Sequence, residues 1–233
     1  MNLKDKIAVV TGVSKGIGAA CVLQLLAQGV KVIGWGRNTC EQAASNDNFQ
    51  FIQTDVRHLS EVKQAYEKTV SDVGIPNLII NNAGLGIFKF MQNITEQEWD
   101  LMFDTNVKGI YNCTTVLLKD FISRKSGDII NIASTAALGG IPEATAYCGS
   151  KHAVRGISLS LAQEVKKFGI RVSCVMPGSV NTEFFEQFEG VTANESMLHP
   201  NDIANQIIYL LNAPQNTLTG EVVIKPLNPS YKV

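Results

Sequence analysis

A phenol and an ammonium stand four positions apart in Tyr147-Cys148-Gly149-Ser150-Lys151. On a helix, residues i and i+4 share a face. A free tyrosine titrates near pH 10, so exchanging a proton near neutrality requires a fall of about three units, or about 4 kcal/mol. One cation about 4 Å away at an effective dielectric of about 20 supplies about that much. Lys151 is therefore a sufficient electrostatic partner for Tyr147 as acid or base. The same spacing also occurs by chance as a surface pair, so other groups must converge on it. Ser134 closes the apolar run Ile130-Asn131-Ile132-Ala133. Ligands of an open parallel sheet bind beyond the carboxyl ends of its strands, which aims Ser134 into the binding crevice. Its plainer role is a turn or capping serine. Asn81-Asn82-Ala83-Gly84 ends another apolar run at the same rim. Asn106 falls inside a long helical stretch, where its side chain is a poor helix former and must bend the helix or hold a partner.

A second constellation could hold a nucleotide. Thr11-Gly12-Val13-Ser14-Lys15-Gly16-Ile17-Gly18 follows the first apolar run and opens a helical pattern. Gly12 permits a tight turn, Gly16 admits a pyrophosphate to the backbone, and Gly18 lets helix and strand pack closely. The helix start then offers free N–H groups to an anion. No Gly-Lys-Ser/Thr ends the turn, so it is not a P-loop. After the second strand the chain reads Trp35-Gly36-Arg37-Asn38, where a dinucleotide fold usually carries an acid for the ribose 2′-hydroxyl. Arg37, with Lys15 in the turn, suits a 2′-phosphate instead, each charge-assisted contact contributing about 1.5–3 kcal/mol. NADP is expected over NAD; the plain alternative is two solvated surface cations.

The elements that must position these groups alternate along the chain. Strands are expected at Ile7–Val10, Val30–Gly34, Phe49–Ile52, Asn77–Ile80, Asp128–Ala133, Arg171–Met176 and Glu221–Lys225. Helical spacing covers Ile17–Gln28, Leu59–Val73, Glu96–Ser123, Ala146–Phe168 and Asn201–Leu211. Short strands joined by helices give βαβ units, hence an α/β fold with a mostly parallel sheet and helices on both faces. With no linker or repeat, one domain over residues 1–233 is the simplest account. The stretch 181–200 fits neither period and reads as an irregular lid or short helices.

Composition removes several classes of function. The chain has 233 residues, enough to bury about three quarters of its unfolded surface. Apolar residues make up 45% and charged residues 18%, which excludes bulk disorder. Twenty basic against 21 acidic side chains give a formal charge of -1, which argues against nucleic acid as a partner. Five cysteines, an odd count without C-x-x-C spacing, suggest neither disulfides nor a metal site, and read as thiols of a reducing compartment. Neither a signal peptide nor a membrane span is expected, so the localisation read is cytoplasmic.

Together these motifs resemble the classical short-chain dehydrogenase/reductases over essentially the whole chain. The resemblance is carried by Thr11-Gly12-x-x-x-Gly16-x-Gly18, Asp55, Asn81-Asn82-Ala83-Gly84, Asn106, Ser134, Tyr147-x-x-x-Lys151, Pro177-Gly178 and Thr182. It implies a Rossmann-type, doubly wound sheet of about seven strands in three α/β/α layers, binding one nicotinamide cofactor. It implies Asp55 near the adenine, Asn82 beside the cofactor, and Pro177-Gly178 with Thr182 around the nicotinamide. Ser14, Ile17, Asn38, Val56, Ala83, Gly84 and Val180 complete the expected NADP(H) site. The basic residues at 15 and 37 match the NADP-preferring branch. The resemblance further implies hydride exchange with a carbonyl or secondary alcohol: Tyr147 as general acid or base, Ser134 bonded to the reacting oxygen, Lys151 lowering the Tyr147 pKa and holding the nicotinamide ribose, and Asn106 placing a relay water. One departure is the tail. Many members end a strand in Asp-Gly-Gly; here it reads Glu221-Val222-Val223-Ile224-Lys225-Pro226-Leu227, leaning toward reductases of small carbonyls or hydroxy acids.

The substrate pocket is expected from 85–90, 138–142 and the segment after Thr182. Leu138, Phe184 and Phe185, with Phe188, Val191 and Met197, suit an apolar carbonyl compound. Stretches 105–118 and 152–163 carry one charge each, Lys108 and Arg155. A helix so apolar must be covered on more than one side, so helices near 100–122 and 147–167 are expected to pair copies into a homodimer or homotetramer. Two rivals stand beside the enzyme. A non-catalytic NADP-binding sensor or scaffold could use the same fold, but it need not keep both Tyr147 and Lys151. An acyl hydrolase using Ser134 and Lys151 lacks a G-x-S-x-G elbow.

Overall fold

Alternating faces of the strands explain the architecture. In β1 (Ile7–Thr11), Ala8 and Val10 point to one side and Val9 to the other; in β4 (Leu78–Asn81), Leu78 and Ile80 oppose Ile79. Strands apolar on both faces must be covered on both. The computed structural model describes residues 3–184, 194 and 196–227. Its strands are β1, β2 (Lys31–Gly36), β3 (Phe49–Gln53), β4, β5 (Gly127–Ile132), β6 (Ile170–Pro177) and β7 (Glu221–Ile224), in one sheet of order β3-β2-β1-β4-β5-β6-β7. Every pairing is parallel. This is the expected Rossmann-type sheet, and the order reverses between β1 and β4, where a crevice opens at the carboxyl edge.

On one face lie α1 (Gly16–Ala27) and α6 (Pro200–Asn212), burying Leu25, Ile203, Ile207 and Leu211 against Val10, Ile80 and Ile130. Burying such a side chain contributes about 1.5–3 kcal/mol. On the other face lie α2 (Leu59–Asp72), α4 (Gly109–Arg124) and α5 (Thr145–Val165), with Trp35, Leu117, Phe121 and Ala162 in the core. Thr95 starts α3 (Glu96–Phe103): its hydroxyl accepts the Glu98 N–H at 3.2 Å while the Glu98 carboxylate accepts the Thr95 N–H at 3.0 Å.

Two expectations are corrected locally. The helix expected over 96–123 has a wide π-turn at Asp104–Lys108, between α3 and α4. Asn106 sits in that turn, and polar insertions of this kind favour such bulges at functional sites. The helix expected to run to Phe168 tightens into a 3₁₀ turn at Lys166–Phe168, closed by Gly169 at φ +71°. Between these faces, a polar ladder crosses the sheet. Asn81 donates to Asn131 at 2.8 Å and Asn131 donates to Ser158 at 2.9 Å, tying β4 and β5 to α5. Buried amides that find partners fix a register that apolar residues would leave slack.

Candidate active site

The carboxyl ends of β1, β4, β5 and β6 open into one groove enclosing about 660 Å³, within the range of small-molecule sites. At its β1 end the glycine turn is held shut from beneath. Gly12 (φ +68°) and Gly16 (φ +59°) occupy the left-handed region, which only glycine enters freely. A Cβ on Gly18 would fall 2.1 Å from the Gly12 carbonyl oxygen and 2.5 Å from Asn82 Nδ2. Gly18 thus packs under the turn and does not face the groove, whereas Gly12, Ser14, Lys15, Gly16 and Ile17 line it. The Asn82 side chain donates to the Thr11 and Gly12 carbonyls at 3.0 and 2.9 Å. The Thr11 hydroxyl accepts the N–H groups of Asn82 and Ala83, both at 2.9 Å. Asn82 therefore locks two strand ends together while lining the groove with Ala83 and Gly84.

Cations stand at the outer end. Arg37 and Asn38 line the groove just past β2. Lys15 is paired with Glu183 at 2.7 Å, a residue the sequence reading did not single out. Arg57, also overlooked, grips Asp55: its Nε lies 2.9 and 3.0 Å from the two carboxylate oxygens. That guanidinium holds the Asp55 carboxyl below its ordinary pKa. Asp55, Val56 and Arg57 all line this end.

The chemical centre is built by β5, the turn after it, and α5. The Ser134 hydroxyl accepts the Ala136 N–H at 3.1 Å, so Ser134 does cap the 3₁₀ turn Thr135–Ala137. It lines the groove together with Tyr147, whose proton affinity it lowers. Capping leaves the hydroxyl able to donate, because one oxygen can accept twice and donate once. Lys151 donates to the Ile132 carbonyl at 3.0 Å, and its nitrogen lies 5.8 Å from the Tyr147 ring centroid. Burial holds the Tyr147 hydroxyl up at about 12, partly offset by the nearby Ser134 hydroxyl. Burial also pulls the Lys151 ammonium down to about 8. Desolvation of the phenolate is the largest influence on Tyr147, because a buried anion loses its hydration.

Asn106 is brought to this centre without entering the groove lining. Its Oδ1 accepts the Leu85 N–H at 2.9 Å, and its Nδ2 donates to the Leu85 carbonyl at 2.9 Å and to Ser150 at 3.0 Å. The amide is fully used, so the side chain clamps the loop after β4 to α5. Ser150 lies three residues from Tyr147 on α5, so the clamp reaches the helix that carries the phenol. Pro177, Gly178, Val180 and Thr182 line the β6 end, and the Thr182 methyl would meet a Cβ on Gly16 at 3.2 Å.

At the substrate end, Phe88 and Phe184 pack on Tyr147 with ring centroids 5.1 and 5.7 Å away. Phe88, Phe184, Leu85, Ile141 and Met197 line the groove. Leu138 does not: it is exposed at the end of the 3₁₀ turn. Phe185, Phe188 and Val191 lie outside the described residues.

The family model for short chain dehydrogenases matches residues 6–190. The chain belongs to the short-chain dehydrogenase family. Its curated relatives in this family include an uncharacterized oxidoreductase of Staphylococcus saprophyticus, 35% identical over 97% of this chain and 100% of the relative. Another, from Staphylococcus haemolyticus, is 33% identical over 97% of this chain and 99% of the relative. Among solved structures of short-chain dehydrogenases, the closed form of a serine dehydrogenase complexed with NADP+ superposes with a TM-score of 0.90 at 28% identity, covering 97% of this chain and 96% of that one. An alcohol dehydrogenase from the archaeon Thermococcus sibiricus, complexed with 5-hydroxy-NADP, gives 0.88 at 25% identity, covering 98% and 100%. The family's dinucleotide fits the residues present: Gly12 and Gly16 line the groove without side chains, and the cradle is closed below by Gly18 and Asn82. No described helix is long and apolar enough to cross a membrane.

Proposed function

We propose that the chain is an NADP(H)-dependent oxidoreductase that interconverts a carbonyl compound and its secondary or primary alcohol. The observation that carries this reading is the convergence of Ser134, Tyr147 and Lys151 on one groove with the glycine turn. When bound, the nicotinamide supplies or accepts the hydride. Tyr147, kept protonated by burial, gives its proton to the alkoxide oxygen as the carbonyl is reduced. Ser134 donates a hydrogen bond to the same oxygen. Lys151 supplies positive charge beneath the pair and a donor for the nicotinamide ribose. Asn106 is a positioning residue, holding the loop from Gly84 to Phe88 against α5.

Gly12, Ser14, Lys15, Gly16 and Ile17 would take the pyrophosphate, with Gly18 supporting the turn. Arg37 and Asn38 would take the 2′-phosphate. Asp55 and Val56 would flank the adenine, and Asn82, Ala83, Gly84, Pro177, Gly178, Val180 and Thr182 would border the nicotinamide half. NADP(H) is supported by Arg37 lining the groove where no acid ends β2, and by the NADP-type ligands of the two structural relatives. Tyr111 on α4 and Leu159 on α5 are 57% and 38% exposed, which supports pairing of these helices in a homodimer or homotetramer of a cytoplasmic enzyme. The test is NADPH oxidation across a panel of aldehydes and ketones, run beside Tyr147→Phe. The variant should bind NADPH normally and lose turnover by about 10²–10⁴; near-normal turnover would refute the assignment.

A further inference from the structure

Glu143 sits in the turn leading into α5 and lines the groove beside Ile141 and Pro142. Its backbone is left-handed at φ +60°, a region uncommon for a residue other than glycine. That strain is held by a clamp: the Lys89 N–H donates to the Glu143 carbonyl at 2.7 Å. The clamp joins the two loops that flank Tyr147. Nearby charge is already spent elsewhere, because the Lys89 ammonium pairs with Glu98. Among the described residues the Glu143 carboxylate has no ion-pair or hydrogen-bond partner. The other acids of the lining, Asp55 and Glu183, are engaged by Arg57 and Lys15 at the cofactor end. Apart from Ser134 and the Lys151 ammonium, which donates to the Ile132 carbonyl, the lining around Tyr147 includes aromatic and aliphatic side chains, with Phe88 and Phe184 meeting edge to face at 5.9 Å.

A free, exposed carboxylate at the rim of a groove lined by aromatic rings is a setting that takes a cation by charge attraction. We infer that Glu143 is a specificity-determining residue that selects carbonyl or alcohol substrates carrying an ammonium group. The inference rests on the oxidoreductase reading and narrows its substrate class. The reacting oxygen lies at Tyr147 and Ser134, and the ammonium faces Glu143 across the mouth of the pocket.

The experiment compares three ketones of matched size, one bearing a primary ammonium, one an alkyl group and one a carboxylate, with saturating NADPH. The ammonium ketone should show a KM lower than the alkyl ketone by about fivefold or more, with kcat similar, and the advantage should shrink with added salt. Glu143→Gln should abolish that ratio while leaving the alkyl ketone unchanged. Glu143→Gly removes the carboxylate and relieves the left-handed backbone; it should abolish the ratio too, with thermal stability retained. Equal KM values for the ammonium and alkyl ketones, or a ratio untouched by both variants, would overturn the inference and leave the oxidoreductase reading standing. Failure of all three ketones and of a wider carbonyl panel to oxidise NADPH would overturn both.

Discussion

The Lys151 ammonium lies 3.0 Å from the Ile132 carbonyl oxygen, two residues before Ser134. That one bond ties α5 to the tip of β5 and so fixes how Tyr147 faces Ser134. It also sets a pH dependence. Lys151, pulled down to about 8 by burial, is charged below that pH and neutral above it. Carbonyl reduction is expected to hold a plateau near neutrality and fall as pH rises through about 8. Tyr147, held at about 12, stays protonated throughout. Oxidation needs the phenolate, so before Lys151 titrates its rate should climb by about tenfold per pH unit. The pH profiles of kcat in both directions, with Lys151→Met as control, check the signs.

A Cβ on Gly36 would meet the Asn38 carbonyl oxygen at 3.5 Å and Gly12 at 3.7 Å, ordinary contacts. An aspartate therefore fits where dinucleotide folds keep their ribose acid. Gly36→Asp combined with Arg37→Ala is expected to shift preference from NADPH to NADH by about tenfold or more, since a lost charge-assisted contact costs about 1.5–3 kcal/mol. Fluorescence titration with both cofactors measures it, and an unchanged ratio would sink the 2′-phosphate assignment.

Lys15 and Glu183 are 64% and 50% exposed, so their ion pair contributes about 0–1 kcal/mol to stability. Glu183→Gln should barely move the urea midpoint. It should nonetheless tighten NADPH binding by a few fold, because Lys15 no longer divides its charge between a carboxylate and a phosphate. Loosened binding would show that Glu183 helps to build the site.

Asn106→Leu would leave the Leu85 N–H, the Leu85 carbonyl and Ser150 without their partner. Each buried group left unsatisfied costs about 1–3 kcal/mol. Denaturant melts should report a loss of several kcal/mol. Asn106→Asp, which retains the acceptor for Leu85, should recover part of it. A loss below 1 kcal/mol for the leucine variant would contradict the clamp.

Much of this protein was written in local pattern. The alternation of short apolar runs with helical spacing led to a parallel sheet, because strands buried on both faces and amphipathic helices have few ways to cover each other. Strand-end positions then named the groove in advance, since Gly12, Asn82, Ser134 and Pro177 stand where β1, β4, β5 and β6 must stop. Tyr147 and Lys151 were legible because helical spacing is itself geometry.

Tertiary structure decided what pairs with what. Glu183 reaches Lys15 across 168 positions of chain, as the residue numbers show, and nothing local marks that meeting. Asn106 could be placed in a helix but not assigned its partners, because Leu85 and Ser150 reach it only once the loop after β4 folds over α5. The burial that raises the Tyr147 pKa and lowers that of Lys151 was not legible for the same reason. Spacing gives the distance between two charges, whereas desolvation depends on everything packed around them, and that surrounding exists only after the chain has closed.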